Sequence, residues 1–221
     1  MTGTDPTDAV IRVGGGRGFI VDADQRRYVI TAAHCLPKLP PAHAASYLTE
    51  RTYKRLLGPL GRRPTVWATC VFVDPVADIA VLGEPDGEEL PDEQDAYEAL
   101  TAPVVPFTIG ALEFVSQELR LPGEGRFGGV VHMPRQAEAK GQMLSLDRRW
   151  FACEVKSHDR AAWIEKPESP IEGGMSGSPI LGPDSAAIAA VSVADQHDSG
   201  GRHPLLNDAL PGWLLRAKFA A

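Results

Sequence analysis

Short apolar runs, each cut off by glycine or proline, are the feature that most limits how this chain can fold. Valine, isoleucine, phenylalanine and tryptophan concentrate at residues 9–13, 17–22, 27–31, 65–73, 78–82, 113–119, 127–133, 142–146, 150–155, 178–181 and 186–194. β-Branched and aromatic side chains suit a pleated surface, and 22 glycines and 19 prolines break the chain between the runs. Many short strands at such intervals predict an all-β fold, a barrel or a sandwich. Three stretches read as helical. They are 42–57, where Tyr47, Leu48, Tyr53, Leu56 and Leu57 recur among basic residues; the acidic 92–100; and 205–219, which Pro211 interrupts.

With 221 residues, of which 43% are hydrophobic, the chain has enough apolar side chain for a single domain with a real core. The net charge of −7 argues against a partner such as nucleic acid, whose binders carry a basic face. The acidic tract "GEPDGEELPDEQDAYE" at 83–98 reads as a solvated loop and short helix; a docking surface for a basic partner is the sharper alternative. No window approaches the roughly 18 apolar residues of a membrane span, so no membrane partner is expected. Residues 1–8 have neither the basic nor the apolar segment of a secretory leader. Three cysteines, Cys35, Cys70 and Cys153, are an odd number without zinc-site spacing. They read as free buried thiols in a reducing compartment, which places the expectation in the cytoplasm. The remaining histidines have no ligand spacing, so neither a metal nor a cofactor is expected.

Three short segments carry the chemistry. His34 stands in "YVITAAHC", where an apolar strand runs into small residues and ends on an imidazole. Asp78 opens "DIAVL", at the mouth of another apolar run. Ser176 lies in "EGGMSGSPI", a glycine-rich turn leading into a strand. Taken singly, each has an ordinary reading: a structural histidine, a turn aspartate, a turn serine. Together they supply a hydroxyl, a base that titrates near neutrality and a carboxylate to orient that base.

In the order His, Asp, Ser these segments resemble the trypsin-like, chymotrypsin-fold serine peptidases. "TAAHC", "DIAVL" and "GMSGSP" correspond to that family's histidine, aspartate and serine motifs, and the order differs from subtilisin-like and α/β-hydrolase enzymes. The resemblance runs from about Val10 to the C-terminus. It implies two sequential antiparallel β-barrels with the active site between them, over about 9–102 and 103–204, followed by a C-terminal helix at 205–219. It also implies a serine endopeptidase acting on a protein or peptide substrate through an acyl-enzyme, with Ser176 as nucleophile, His34 as base and Asp78 as its orienting group. The amides of Gly174 and Ser176 would form the oxyanion hole. The pocket wall would comprise Pro170, Ile171, Ser192, Val193 and Ala194. Pro170 stands where enzymes selecting Arg or Lys carry an acid, which points to a small or medium apolar residue before the cut; Glu168, Glu172 and Asp195 lie close by.

A second serine, Ser199 in "HDSGGRHP", has a similar look, but too few residues follow it for the closing strands of the fold. Met175 occupies the place of the acid that pairs with a processed N-terminus in zymogens, and Cys35 lacks the partner cysteine it has in many members. Both departures resemble bacterial non-zymogen members and imply activity without N-terminal processing. The alternative function is a triad-bearing regulatory or binding module, closed until a regulatory partner protein engages.

Overall fold

A computed structural model describes residues 5–41, 48–112, 118–120, 130–132, 137–158, 161–192 and 202–215. The first six strands are β1 (Val10–Val13), β2 (Gly16–Ala23), β3 (Arg26–Thr31), β4 (Thr52–Pro59), β5 (Val66–Asp74) and β6 (Ile79–Gly83). They close into an antiparallel barrel in the order β1-β2-β3-β6-β5-β4. Strands β7 (Glu118–Arg120) and β8 (Val130–His132) pair with each other as a separate hairpin. Then come β9 (Ala137–Leu144), β10 (Trp150–His158), β11 (Ala161–Glu165), β12 (Pro179–Leu181), β13 (Ala187–Ala190) and β14 (His203–Pro204). Their sheet runs β13-β12-β9-β10-β11-β14, the same connectivity as the first barrel. An antiparallel bridge between Ala189 and Leu205 draws its two edges together, so this barrel is nearly closed.

The near-continuous apolar run of β2 follows from burial on both faces. Ile20 faces the first barrel's interior with Val13, Val29, Leu57 and Leu82. Phe19 and Val21 face outward, where Ile30 and Val81 join them against Leu144, Leu181 and Ala190 of the second sheet. Each fully buried side chain of this size contributes about 1.5–3 kcal/mol, so the interface between the barrels is a core in its own right. The connecting segment is held there as well: the Phe107 amide donates to the Ile20 carbonyl at 2.8 Å, and the Phe107 ring meets Phe19 edge-on. Residues at the strand ends along this interface are thereby fixed relative to one another.

One expectation about a helix needs correction. Of 42–57, residues 42–47 lie outside the described residues, Leu48–Arg51 forms a single helical turn (α1), and Thr52–Pro59 is strand β4. The register of β4 against β5 shifts between Tyr53 and Leu57, and Arg55 takes a φ of 53°. This bulge breaks the two-residue alternation, so Tyr53, Leu56 and Leu57 are buried at the i, i+3, i+4 spacing of a helix while Lys54 and Arg55 stay exposed. At the C-terminus two short turns, α3 (Leu206–Ala209) and α4 (Gly212–Leu215), are divided at Pro211, where the sequence marks an interruption; residues 216–221 lie outside the described residues. The acidic helix forms over Pro91–Thr101 (α2 in chain order) and buries Tyr97, whose hydroxyl donates to the Arg27 and Leu82 carbonyls.

Candidate active site

β3 and β6 are neighbours, with Thr31 opposite Ala80, so the residues just beyond their facing ends meet. After Thr31 the chain passes the buried Ala32 into a 3-10 turn, Ala33–Cys35, whose Ala33 is buried and whose His34 side chain is half exposed. Asp78 precedes β6 in the left-handed region, φ 56°, a conformation that Asp tolerates better than most residues. Its carbonyl accepts the Ala33 amide at 3.2 Å. One carboxylate oxygen accepts the His34 amide at 3.0 Å, and the other lies 2.8 Å from His34 Nδ1. The carboxylate therefore grips both the backbone and the ring of His34. With Nδ1–H given to Asp78, the imidazole presents the lone pair of Nε2.

Ser192 is nearly buried, and its hydroxyl donates to the same Asp78 oxygen that faces Nδ1. Its amide donates to His203 Nδ1 at 3.1 Å. Ser192, expected as a pocket wall, bounds the cavity beside His34 and also supports the carboxylate. Nothing in the sequence marks its contact with Asp78, which spans more than a hundred residues.

Ser176 sits in a tight turn. The Met175 amide donates to the Glu172 carbonyl and the Ser178 amide to the Met175 carbonyl. Gly174 and Gly177 have φ of 97° and 83°. At Gly177 a Cβ would lie 1.9 Å from the Arg17 carbonyl oxygen, so only glycine fits. The Ser176 carbonyl accepts the Arg17 amide at 2.7 Å, which ties the turn to β2. Met175 is fully buried in the second barrel's core beside Ile180 and Ile188, where a charge would be costly. Among the described residues, the Gly174 and Ser176 amides donate to no group of the protein. The Ser176 hydroxyl donates to the Ser192 carbonyl at 3.4 Å. Ser192 thus touches both Ser176 and Asp78.

Of the other expected pocket residues, Pro170 is exposed and Ile171 is half-buried against the second barrel's core. Val193, Ala194 and Ser199 lie outside the described residues. A cavity of about 520 Å³ opens beside His34 and Asp78 and is bounded by Val76, Ser192 and Arg202. The Cys35 thiol is buried next to the Ser176 carbonyl; burial first, and then the nearby Asp78 charge, push it upward, away from the thiolate. All three cysteines are free and buried. No helix among the described residues is long and apolar enough to cross a membrane, and no three metal-ligating side chains among them gather to hold an ion.

A sequence profile described as a trypsin-like peptidase domain matches residues 16–189, a span that includes His34, Asp78 and Ser176. No curated protein matches the chain. Among solved structures it is similar to Rv3671c from M. tuberculosis H37Rv, a serine-to-alanine mutant in an inactive form. That likeness has 16% identity, covers 97% of this chain and 89% of the other, and has a TM-score of 0.48. It is also similar to a structure described by the coupled folding and binding of the Sesbania mosaic virus VPg protein, at 11% identity, 90% and 86% coverage and a TM-score of 0.50. With most of its length matched by the family profile, and with two barrels of like strand order, the chain belongs to the trypsin-like peptidase domain family.

Proposed function

We propose that the protein is a serine endopeptidase in which Ser176, His34 and Asp78 act together. The observation that carries this reading is the double grip of Asp78 on His34, through the backbone amide at 3.0 Å and Nδ1 at 2.8 Å. A ring held in that way has Nε2 ready as a base. In the proposed reaction the Ser176 oxygen attacks the scissile carbonyl carbon and its proton passes to Nε2. The C–N bond then breaks, and the departing amine takes that proton. Water repeats the sequence on the acyl-enzyme, releases the acid and restores the serine. Asp78 stays ionised throughout and stabilises the imidazolium. The free amides of Gly174 and Ser176 suit an oxyanion; removing one such donor in related chemistry costs roughly a hundredfold to a thousandfold in kcat. Burial of Met175 supports a loop held by packing and not by a charged N-terminus. The three free thiols support a reducing compartment.

The hydrogen bond from the Ser176 hydroxyl to the Ser192 carbonyl favours one second reading, a site whose hydroxyl turns toward His34 only when a substrate or a regulatory partner engages. Labelling by a fluorophosphonate, followed by peptide hydrolysis, tests both. Ser176→Ala removes labelling, while Ser199→Ala retains it. Labelling lost in the Ser199 variant but not in the Ser176 variant rejects the assignment. Labelling that appears only with an added partner selects the second reading.

A further inference from the structure

A second cavity, of about 360 Å³, adjoins the glycine loop and, among the described residues, shares no lining residue with the one beside His34. Gly173 and Gly174 form one edge, and Gly15 and Gly16 of the β1–β2 turn form another. Between them stand three arginines, Arg12, Arg17 and Arg148, and among the described residues the lining contains no acidic residue. That is unexpected in a chain of net charge −7.

Each guanidinium is held in place without a counter-ion among the described residues. Arg17 is only 5% exposed and donates to the Leu144 and Ser145 carbonyls at 2.9 and 3.0 Å. Arg148 donates to the Leu60 carbonyl, and it lies over Gly61, where a Cβ would come within 2.8 Å of its Nη2. Arg12 Nε donates to the Gly14 carbonyl at 3.1 Å. The nearby carboxylate of Asp147 is taken up by Arg149 and Ser145. Carbonyls solvate a guanidinium but do not neutralise it, so a buried arginine with arginines as its charged neighbours is a standing site for an anion. Burial, and secondarily the Arg148 charge, lower the Arg17 pKa, consistent with an uncompensated cation. Leu60 and Leu146 give the cavity an apolar wall, and a Cβ on Gly174 would sit 3.6 Å from Leu146.

We infer that this arginine-lined cavity binds a carboxylate of the peptide substrate on the leaving-group side of the scissile bond, within about two residues of it. The inference rests on the peptidase reading for its orientation. On that reading the scissile carbonyl meets the Gly174 and Ser176 amides, the acyl half takes the cavity that Ser192 lines, and the leaving half takes this one, which begins at Gly173 and Gly174. The carboxylate has two sources, an acidic side chain or a free C-terminus. A planar guanidinium pairs with either through two parallel N–H···O bonds.

The test uses Ser176→Ala protein, which would hold peptides uncut, and fluorescence anisotropy. One pair of C-terminally amidated peptides carries Glu or Gln two residues past the cut. A second pair ends at that residue as a free carboxylate or an amide. The carboxylate member of at least one pair binds roughly tenfold to a hundredfold more tightly, as charge-assisted bonds imply, and the pair that responds identifies the source. Adding Arg148→Ala brings the preference to within about threefold of unity, and Arg148→Lys restores part of it. Arg148 is exposed, so these variants avoid the folding risk of replacing Arg17. Equal binding within both pairs, or a preference that survives Arg148→Ala, overturns the inference. Fluorophosphonate labelling of the unmutated protein is read separately. A carboxylate preference without labelling refutes the peptidase chemistry alone, and labelling without a preference refutes this inference alone.

Discussion

Asp78→Asn probes the site with almost no change of shape. The carboxylate accepts three donors: the His34 amide on one oxygen, and His34 Nδ1 and the Ser192 hydroxyl on the other. An amide has one oxygen and one NH₂, so one of those positions must reverse. If the oxygen faces the His34 amide, the NH₂ faces Nδ1 and drives the ring proton to Nε2, while the Ser192 hydroxyl rotates to accept. If the oxygen faces Nδ1, the NH₂ opposes the His34 N–H, and an amide is left unsatisfied at a cost of about 1–3 kcal/mol. The first arrangement is cheaper, because a tautomer and a hydroxyl adjust where a backbone amide does not. It also removes the base, since Nε2 then carries the proton it should receive. The expected result is a folded protein, less stable by about 1–2 kcal/mol from exchanging charge-assisted for neutral hydrogen bonds, with Tm lower by roughly 2–8 °C. Its kcat falls about 10⁴-fold, or some 5.4 kcal/mol of barrier, by analogy with the same change in serine peptidases that use this triad. Calorimetry, fluorophosphonate labelling rates and ester hydrolysis measure the two effects separately. Labelling within tenfold of the unmutated rate in a folded Asp78→Asn protein would refute the role of the carboxylate. Wholesale unfolding would show that Asp78 is chiefly structural.

Three further outcomes follow from the packing. Gly177→Ala combines a left-handed φ of 83° with a clash against the Arg17 carbonyl, so it should cost about 2–5 kcal/mol in urea denaturation and abolish labelling; a loss below 1 kcal/mol would contradict the contact. Met175→Ala empties a fully buried position and should cost about 2–5 kcal/mol, while Met175→Leu, which keeps the volume, should cost less than about 1.5 kcal/mol and preserve labelling; equal effects would argue against packing as what holds the loop. Burial pushes the Cys70 thiol up to about 11 and the Cys153 thiol up to about 12 from 9.0. Above pH 9 the folded protein therefore keeps protons that the unfolded chain releases. Stability should fall by up to about 1.4 kcal/mol per pH unit per thiol until the folded values are reached, with Tyr53 adding to the fall above pH 10. Replacing both cysteines with alanine should flatten that slope in alkaline denaturation curves, and thiol titration of denatured, unreduced protein should find all three.

Much of the fold is legible because β-strands write their burial into a short period. Strands β1, β2, β3, β5 and β10 coincide closely with apolar runs, since each has at least one face on a core. Strand β4 is not legible, because its bulge converts an alternating pattern into helical spacing. β11 escapes notice because two of its buried positions are alanines and its Trp163 is exposed, so no apolar run marks it, and β14 because it has only two residues. The meeting of His34 and Asp78 is expected from the resemblance of their motifs, and the structure supplies its physical cause. Each lies at the end of an apolar strand, and β3 and β6 pair directly, so strand pairing brings their side chains together.

What the amino-acid order determined by itself is local: the strand-forming runs, the turns that require glycine, and the three segments that place a hydroxyl, an imidazole and a carboxylate at strand ends. Tertiary structure alone decided the contacts between distant segments. Ser192 reaches Asp78 from 114 residues away, and Arg17 reaches the Leu144 carbonyl from 127 residues away. Arg12 and Arg148 line one cavity from separate barrels. A single arginine or serine carries no periodic signal, and its meaning depends on which groups the closing of two barrels brings within about 3 Å. The physical reason is that hydrogen bonds and charge pairing act over a few ångströms of space, whereas sequence patterns report only neighbours along the chain.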